Sequence, residues 1–221
     1  MIEWLRNLAA DEFGRNLITI GGTLIAVAFG TFLGAFKDVF IEGGKRKRLA
    51  WLTAVRLTVI LDKYVDECSA CVQDEGSYDP EGYRHTNGAE PTLEYPGDLG
   101  WTSLKRELMY AAFRLKVEHD SVVKGLEFVG SEIAFPPDYE EYYSEKRVLF
   151  SNQGLATLEL VRSLKDHYGV PTADRRDYDP RTTFDRMLAQ RAKYDAEREA
   201  RRQELEKKRI EAGEPPGLFP I

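Results

Sequence analysis

The chain has 221 residues, with 31 Lys and Arg against 37 Asp and Glu, a formal charge of −6 and a pI near 5.3. That balance argues against a general nucleic-acid binder, whose affinity for phosphate comes from net Lys and Arg on the binding face. Two cysteines, Cys68 and Cys71, are too few for the disulfide framework of a small secreted domain and fit a reducing compartment.

Residues 1–16 form a short first segment, in which Ile2, Trp4, Leu5 and Leu8 suit a helix lying at a membrane interface. The next twenty residues, Leu17 to Phe36 (LITIGGTLIAVAFGTFLGAF), carry no charge. At about 1.5 Å per helical residue they match the roughly 30 Å hydrocarbon core of a bilayer, which predicts a transmembrane helix over 17–36. A signal peptide would have a positive start and a shorter apolar run, whereas Glu3, Asp11 and Glu12 are mixed here with Arg6 and Arg15. A helix buried in a hairpin is the alternative. Within the run, Gly22, Ala26, Gly30 and Gly34 recur every fourth residue and line one helix face. Small residues let membrane helices approach closely, so this is a candidate homo-oligomer contact.

A basic juxtamembrane segment, 37–48, follows. Lys37, Lys45, Arg46, Lys47, Arg48 and Arg56 outnumber the two cations ahead of the run. The cation-rich side stays cytoplasmic, which predicts a single-pass protein of the bacterial inner membrane with its N-terminus outside and its C-terminal domain in the cytoplasm. Lys45, Arg46, Lys47 and Arg48 are then expected to contact lipid headgroups, at about 1 kcal/mol each. A nuclear signal or nucleic-acid patch is the other reading of such a run.

From Leu49 to Pro171 the pattern predicts a cytosolic helical bundle. Ala50, Ala54, Leu57, Leu61, Tyr64, Cys68 and Cys71 recur at alternating spacings of four and three, predicting a first helix that ends near Gln73. The Cys-x-x-Cys pair lies on this seam near the helix end. Zinc needs four ligands, and redox pairs favour a helix N-terminus, so packed core thiols are the expectation; His85 is the only nearby supplement for a metal. Residues 74–100 read as a long acidic loop, solvated and partly mobile. Tyr78, Tyr83 and Tyr95 would give it contact area if it binds something, and its acids lack the spacing of a calcium loop.

A second helix is predicted from Trp101, with Leu108, Ala112, Leu115, His119, Val122, Leu126, Val129 and Ile133 on its seam. A lone histidine on an apolar face is expected to be a hydrogen-bonded core residue rather than a catalyst. Pro136 and Pro137 end this helix. Asp138 is placed to cap a third, whose first turns carry Glu140, Glu141 and Glu145 beside Tyr139, Tyr142 and Tyr143. Its apolar set runs Val148, Leu149, Leu155, Leu158, Val161, Leu164 and Tyr168, with a break expected at Asn152–Gly154 and a stop at Gly169 and Pro171. Three long helices are expected to run up, down and up.

Residues 172–221 comprise a linker, a charged helix and an apolar tail, GLFPI. From Asp185 to Glu211 the charges interleave, with Glu197–Arg201 and Glu204–Lys208 at the favourable four-residue spacing. The apolar residues Phe184, Leu188, Tyr194, Leu205 and Ile210 are too sparse and out of step for a sustained coiled-coil seam, so an exposed helix docked at its first turns is expected. RNA binding is disfavoured because acids nearly balance bases.

No phosphate loop, dinucleotide fingerprint, HExxH or nucleophile elbow occurs, so no catalytic, cofactor or metal residues are assigned. The stretches LRLTVILDKYVDEC, LVRSLKDHYGVP and DYDPRTTFDRML resemble small uncharacterised proteins encoded by bacteria and their prophages. That resemblance implies no known activity. The fold class expected is all-α, and the function expected is that of a membrane-tethered, non-enzymatic scaffold or regulator with an unidentified protein partner and no nucleic acid. The alternatives are a membrane-active effector, in phage exclusion or host control, assembling through Gly22, Ala26, Gly30 and Gly34, and an enzyme or metal-binding protein using Cys68, Cys71, His85 and His119.

Overall fold

A computed structural model describes residues 12–176 and 178–211, with side chains from residue 43 onward. The segment 1–16 up to residue 11, the side chains of the apolar run 17–36, including Gly22, Ala26, Gly30 and Gly34, and the tail 212–221 lie outside the described residues. Two compact units divide the chain, Met1–Leu49 and Ala50–Ile221. The described structure is all-helical apart from one tiny hairpin. Its helices are α1 (Glu12–Gln73), α2 (Arg106–Phe128), α3 (Glu140–Tyr168) and α4 (Pro180–Glu211); strands β1 (Ser77–Tyr78) and β2 (Arg84–His85) pair antiparallel between α1 and α2. Among the residues whose side chains are described, from residue 43 onward, no helix is long and apolar enough to cross a membrane.

The α1 backbone passes through Gly43 and Gly44 without a break. No proline lies between residues 12 and 73, and the glycines, at about 1 kcal/mol each, are followed by good helix formers. Lys45, Arg46, Lys47 and Arg48 are exposed along it. Further on, the expected seam is the buried one: Ala50, Ala54, Leu57, Leu61, Tyr64, Cys68 and Cys71 all face the core, and the helix ends at Gln73 as expected.

The topology departs from up, down, up. After α1 the chain returns along that helix: the Thr92 N–H donates to Glu67, Arg56 pairs with Asp98 at 3.0 Å, and Ser103 Oγ donates to Thr53 at 3.1 Å. Helix α2 therefore starts beside the residues where the bundle part of α1 began. It then climbs parallel to α1, bringing His119 to Tyr64 at 2.9 Å. Covering the roughly 20 residues from Gln73 back to Thr53 means crossing about 30 Å, at 1.5 Å per residue. A connection of this length is a crossover of the kind that joins parallel helices in bundles.

The crossover is consequently tied to the helices it crosses at particular points, while most of its residues stay exposed, as expected of a solvated loop. Leu93 and Leu99 are buried, Tyr95 Oη donates to the Ala112 carbonyl, Lys116 pairs with Glu94, and Tyr142 Oη donates to Glu90. Asp74, Glu90, Glu94, Asp98 and Tyr95 thus find partners on the helices they cross, and Asp79 pairs within the hairpin with His85.

Helix α2 gives way to a π-helical turn, Val129–Ile133, before the prolines. The next start is not capped by Asp138. That carboxylate accepts from Tyr78 Oη on β1, and Tyr139 takes the cap position in the left-handed conformation, φ +50°, with no side-chain cap. Helix α3 then runs unbroken through Asn152–Gly154. A Cβ on Gly154 would overlap the Phe184 ring, so the glycine admits α4 to close contact rather than ending a helix. On α3 the expected apolar set is buried only at Val161 and Leu164: Tyr143, Lys146, Phe150, Gln153, Thr157 and Leu160 are buried in its place, while Val148, Leu149, Leu155, Leu158 and Tyr168 are half-buried. Helices α3 and α4 are antiparallel, held by Arg181 on Glu159, Phe184 on Gly154 and Arg191 on Ser144.

Candidate functional site

The polar interior lies where the end of α1, the hairpin and the start of α3 meet. Lys146 is 1% exposed and donates to Asp74 at 3.2 Å. Its ammonium stands 4.9 Å from the Tyr143 ring centre and 6.0 Å from that of Tyr142, which places aromatic faces against the charge. Asp74 also accepts the backbone N–H groups of Gly76 and Asn87. Burial pushes the Asp74 carboxyl up, but the Gly76 N–H, Lys146 and the Asn87 N–H outweigh it and hold it below the usual carboxylate range.

Gly76 sits at φ +72°, where a Cβ would come 2.7 Å from the His85 carbonyl and 2.8 Å from Tyr143 Oη. The turn thus needs glycine both for conformation and for room. Arg84 lies 3.9 Å over the Tyr143 ring, donates to the Glu75 carbonyl and pairs with Glu140 at 3.0 Å. These contacts fix the hairpin to α3. They join elements and leave no opening for a substrate between Lys146 and Asp74, 2% and 9% exposed.

The residues with candidate chemistry divide differently. Cys68 and Cys71 are free and buried. Burial pushes both thiols up, Cys71 to about 11, and away from the reactive thiolate. Tyr64 Oη bonds His119 Nδ1 at 2.9 Å, and their rings meet edge-on. Burial, with Lys116 beside it, pushes the His119 imidazole below its ordinary value. His85 is elsewhere, on exposed β2, bonded to Asp79 at 2.7 Å. Among the described residues no group of three or more His, Cys, Asp or Glu is placed to hold a metal. The structure therefore brings Cys68 and His119 into one core but leaves His85 apart.

The accessible feature is a groove of about 800 Å³ at the root of α4. Val129 and Ile133 of the π-turn, Val148 of α3, and Met187 and Tyr194 of α4 supply its apolar surface. Glu140, Glu141 and Glu145 come from α3, and Arg191 and Arg198 from α4. Arg191 donates to Ser144 and pairs with Asp195, which anchors that side of α4 to the bundle. The lining is apolar with charges of both signs at its edges, a composition suited to receiving a peptide. Ser144 Oγ already accepts from Arg191, and no histidine or cysteine lines the groove.

Beyond the groove α4 continues as an exposed helix. Its buried residues are Pro180, Thr183 and Phe184, all in the first turns, as the sequence analysis expects. Glu204 pairs with Lys208 at 2.7 Å, whereas Glu197 pairs with Lys193 rather than the expected Arg201. The linker ahead of it is more tightly held than composition indicates: Arg175 bridges Asp62 and Asp66, and Tyr178 Oη donates to Ser69.

Of the residues assigned from sequence to the membrane, only Lys45, Arg46, Lys47 and Arg48 fall among the described side chains; Gly22, Ala26, Gly30 and Gly34 do not. Sequence reasoning missed the groove because three separate elements build it. The nearest signal in the sequence is the acidic first turn of α3, whose Glu140, Glu141 and Glu145 line the groove. The chain matches no family model, no curated protein and no solved structure.

Proposed function

We propose that this protein is a membrane-tethered, non-enzymatic interaction module: a single transmembrane helix over 17–36 holds a helical domain in the cytoplasm, at the bacterial inner membrane, and the domain engages a protein partner through α4 and the groove at its root. The observation that carries the interaction reading is a helix of 32 residues with burial confined to its first turns. A helix polar over its remaining length gains little from its own bundle and is suited to bridging or binding. Support for the tether is the charge-free run Leu17–Phe36 followed by Lys45, Arg46, Lys47 and Arg48. The burial of Cys68, Cys71 and His119 favours binding over catalysis at these groups.

The reading is tested by fractionation and capture. The full chain is expected in the membrane fraction after alkaline wash, with the helical domain cleaved by protease only in inside-out vesicles. A partner should co-purify with the full chain and be lost on disrupting the groove with Tyr194→Asp. Recovery in the soluble fraction would contradict the tether. Stoichiometric capture unaffected by that variant would contradict the surface.

The four-residue spacing of Gly22, Ala26, Gly30 and Gly34 favours a second component, self-association through the membrane helix. Gly30→Leu should then abolish dimerisation of the isolated membrane segment. If overexpression also depolarises cells and Gly30→Leu relieves it, the membrane-active effector replaces the scaffold.

A further inference from the structure

Helix α4 sorts its charges around its axis in a way that linear sequence conceals. With 3.6 residues per turn, each step rotates about 100°. Taking the direction of groove-lining Met187 as reference, Arg191, Arg198, Arg201, Arg202, Lys208 and Arg209 all fall within about 60° of it. Six of the ten Lys and Arg of α4 thus share one sector, while none of its seven acids does. Tyr194 and Leu205, exposed, lie on the midline of the same sector. The stripe begins in the groove, at Arg191, Tyr194 and Arg198, and continues along the exposed part of the helix.

The acids occupy the flanks. Asp195, Glu199 and Glu204 pair with Arg191, Arg202 and Lys208 from there. Exposed pairs of this kind are worth little and exchange readily for a better partner. The geometry also selects the shape of that partner. A nucleic-acid duplex or a bilayer surface is wider than the stripe and would press phosphates against the flanking acids and against Glu140, Glu141 and Glu145 at the groove. A second helix, about 10 Å across, can contact the stripe while leaving the flanks in water.

We propose that this face docks an acidic amphipathic helix of another protein, lying along the exposed part of α4 outward from Tyr194, with apolar side chains meeting Tyr194 and Leu205 and carboxylates meeting the arginines beyond the groove acids. The proposal rests on the interaction reading above and specifies the partner's chemistry. Arg is suited to this role because its planar fork takes a carboxylate through two hydrogen bonds.

The test uses the full chain in uncharged detergent and a fluorescent designed helix of about 20 residues, with a leucine seam flanked by Glu, together with analogues carrying Gln or Lys in place of Glu. Anisotropy titrations should show the Glu peptide binding at least about tenfold tighter than the Gln peptide, with that advantage largely lost between about 0.05 M and 0.5 M salt. The triple variant Arg198→Glu/Arg201→Glu/Lys208→Glu, at unchanged helical circular dichroism, should lose the Glu peptide by at least about tenfold and gain the Lys peptide. Such a swap of preference is not produced by a merely structural role. Equal binding of the Glu and Gln peptides, undiminished Glu-peptide binding by the triple variant, or tighter binding of anionic vesicles or duplex RNA than of the Glu peptide would each overturn the proposal. A natural partner captured from membranes, and captured equally by the triple variant, would sink this face alone; absence of any partner would instead sink the interaction reading.

Discussion

The crossover between α1 and α2 and the helix α4 are built from opposite kinds of sequence and are held to the bundle to opposite degrees. The crossover is irregular, acidic and broken by glycine and proline, yet it is tied down at residue after residue, from Asp74 on Lys146 to Asp98 on Arg56 and Ser103 on Thr53. Helix α4 is regular and uninterrupted, yet beyond its first turns it lies in solvent. Regularity and burial are therefore separate properties. Backbone hydrogen bonds make α4 a helix wherever it lies, whereas the crossover holds its path through particular side chains, Asp74, Glu90, Glu94, Tyr95 and Asp98, that find partners on the bundle. This division places structure in the irregular segment and, under the proposed function, leaves recognition to the regular one.

The comparison is broken most severely at Lys146. Replacing it with Met leaves Asp74 buried without its countercharge, and equilibrium unfolding should show a loss of about 3–5 kcal/mol. The double variant Asp74→Asn/Lys146→Met should recover a large part of that loss, because no charge is then left unpaired. Phe184→Ala should cost about as much, about 3–5 kcal/mol, by emptying the contact that seats α4 on Gly154. Gly154→Ala, which pushes the ring out instead, should cost about 1–3 kcal/mol and free the α4 amides to exchange.

A pH titration sharpens the same contrast. His119 has its folded value depressed, so the fold favours neutral imidazole. The stability this contributes is present above the unfolded value of about 6.5 and is lost as pH falls through the folded value. Asp74, also depressed, adds a second loss below about pH 4, where its unfolded form protonates first. Denaturant midpoints should fall with acid in these two windows, and His119→Gln should flatten the first. On the other side of the comparison, Glu204→Ala removes an exposed pair of α4 and should shift stability by no more than about 0.5 kcal/mol.

Periodicity made much of the bundle legible. The stripe of α1 from Ala50 to Cys71 is the buried one, and on α2 Leu108, Ala112, Leu115, His119 and Leu126 are buried as their spacing indicates. Helix α3 was less legible, since its buried face includes Lys146, Gln153 and Thr157, polar types that hydropathy assigns to water. Lys146 lies between Glu145 and Arg147, and nothing local separates the buried cation from its half-buried charged neighbours; its partner Asp74 is 72 residues away. Gly154 reads as a breaker until Phe184 is seen to need its missing side chain. The parallel course of α1 and α2 was hidden because the length of the connection has two readings, mobile loop and crossover, and only contacts such as Thr92 to Glu67 distinguish them. For the candidate site, the exposed charged helix was legible and its one-sided arrangement of cations was not, because interleaving along the chain masks segregation around the axis.

The claim that the irregular crossover is structural while regular α4 is presented for binding is tested most directly by native-state hydrogen exchange on the full chain. The amides of Arg84, Leu99 and Trp101, each donating to a backbone carbonyl, and that of Thr92, donating to Glu67, should exchange only on opening of the bundle and track its global stability. Those from Glu199 to Glu211 should exchange orders of magnitude faster, as in a helix without tertiary support. Fast exchange across the crossover together with slow exchange in the outer half of α4 would contradict the account.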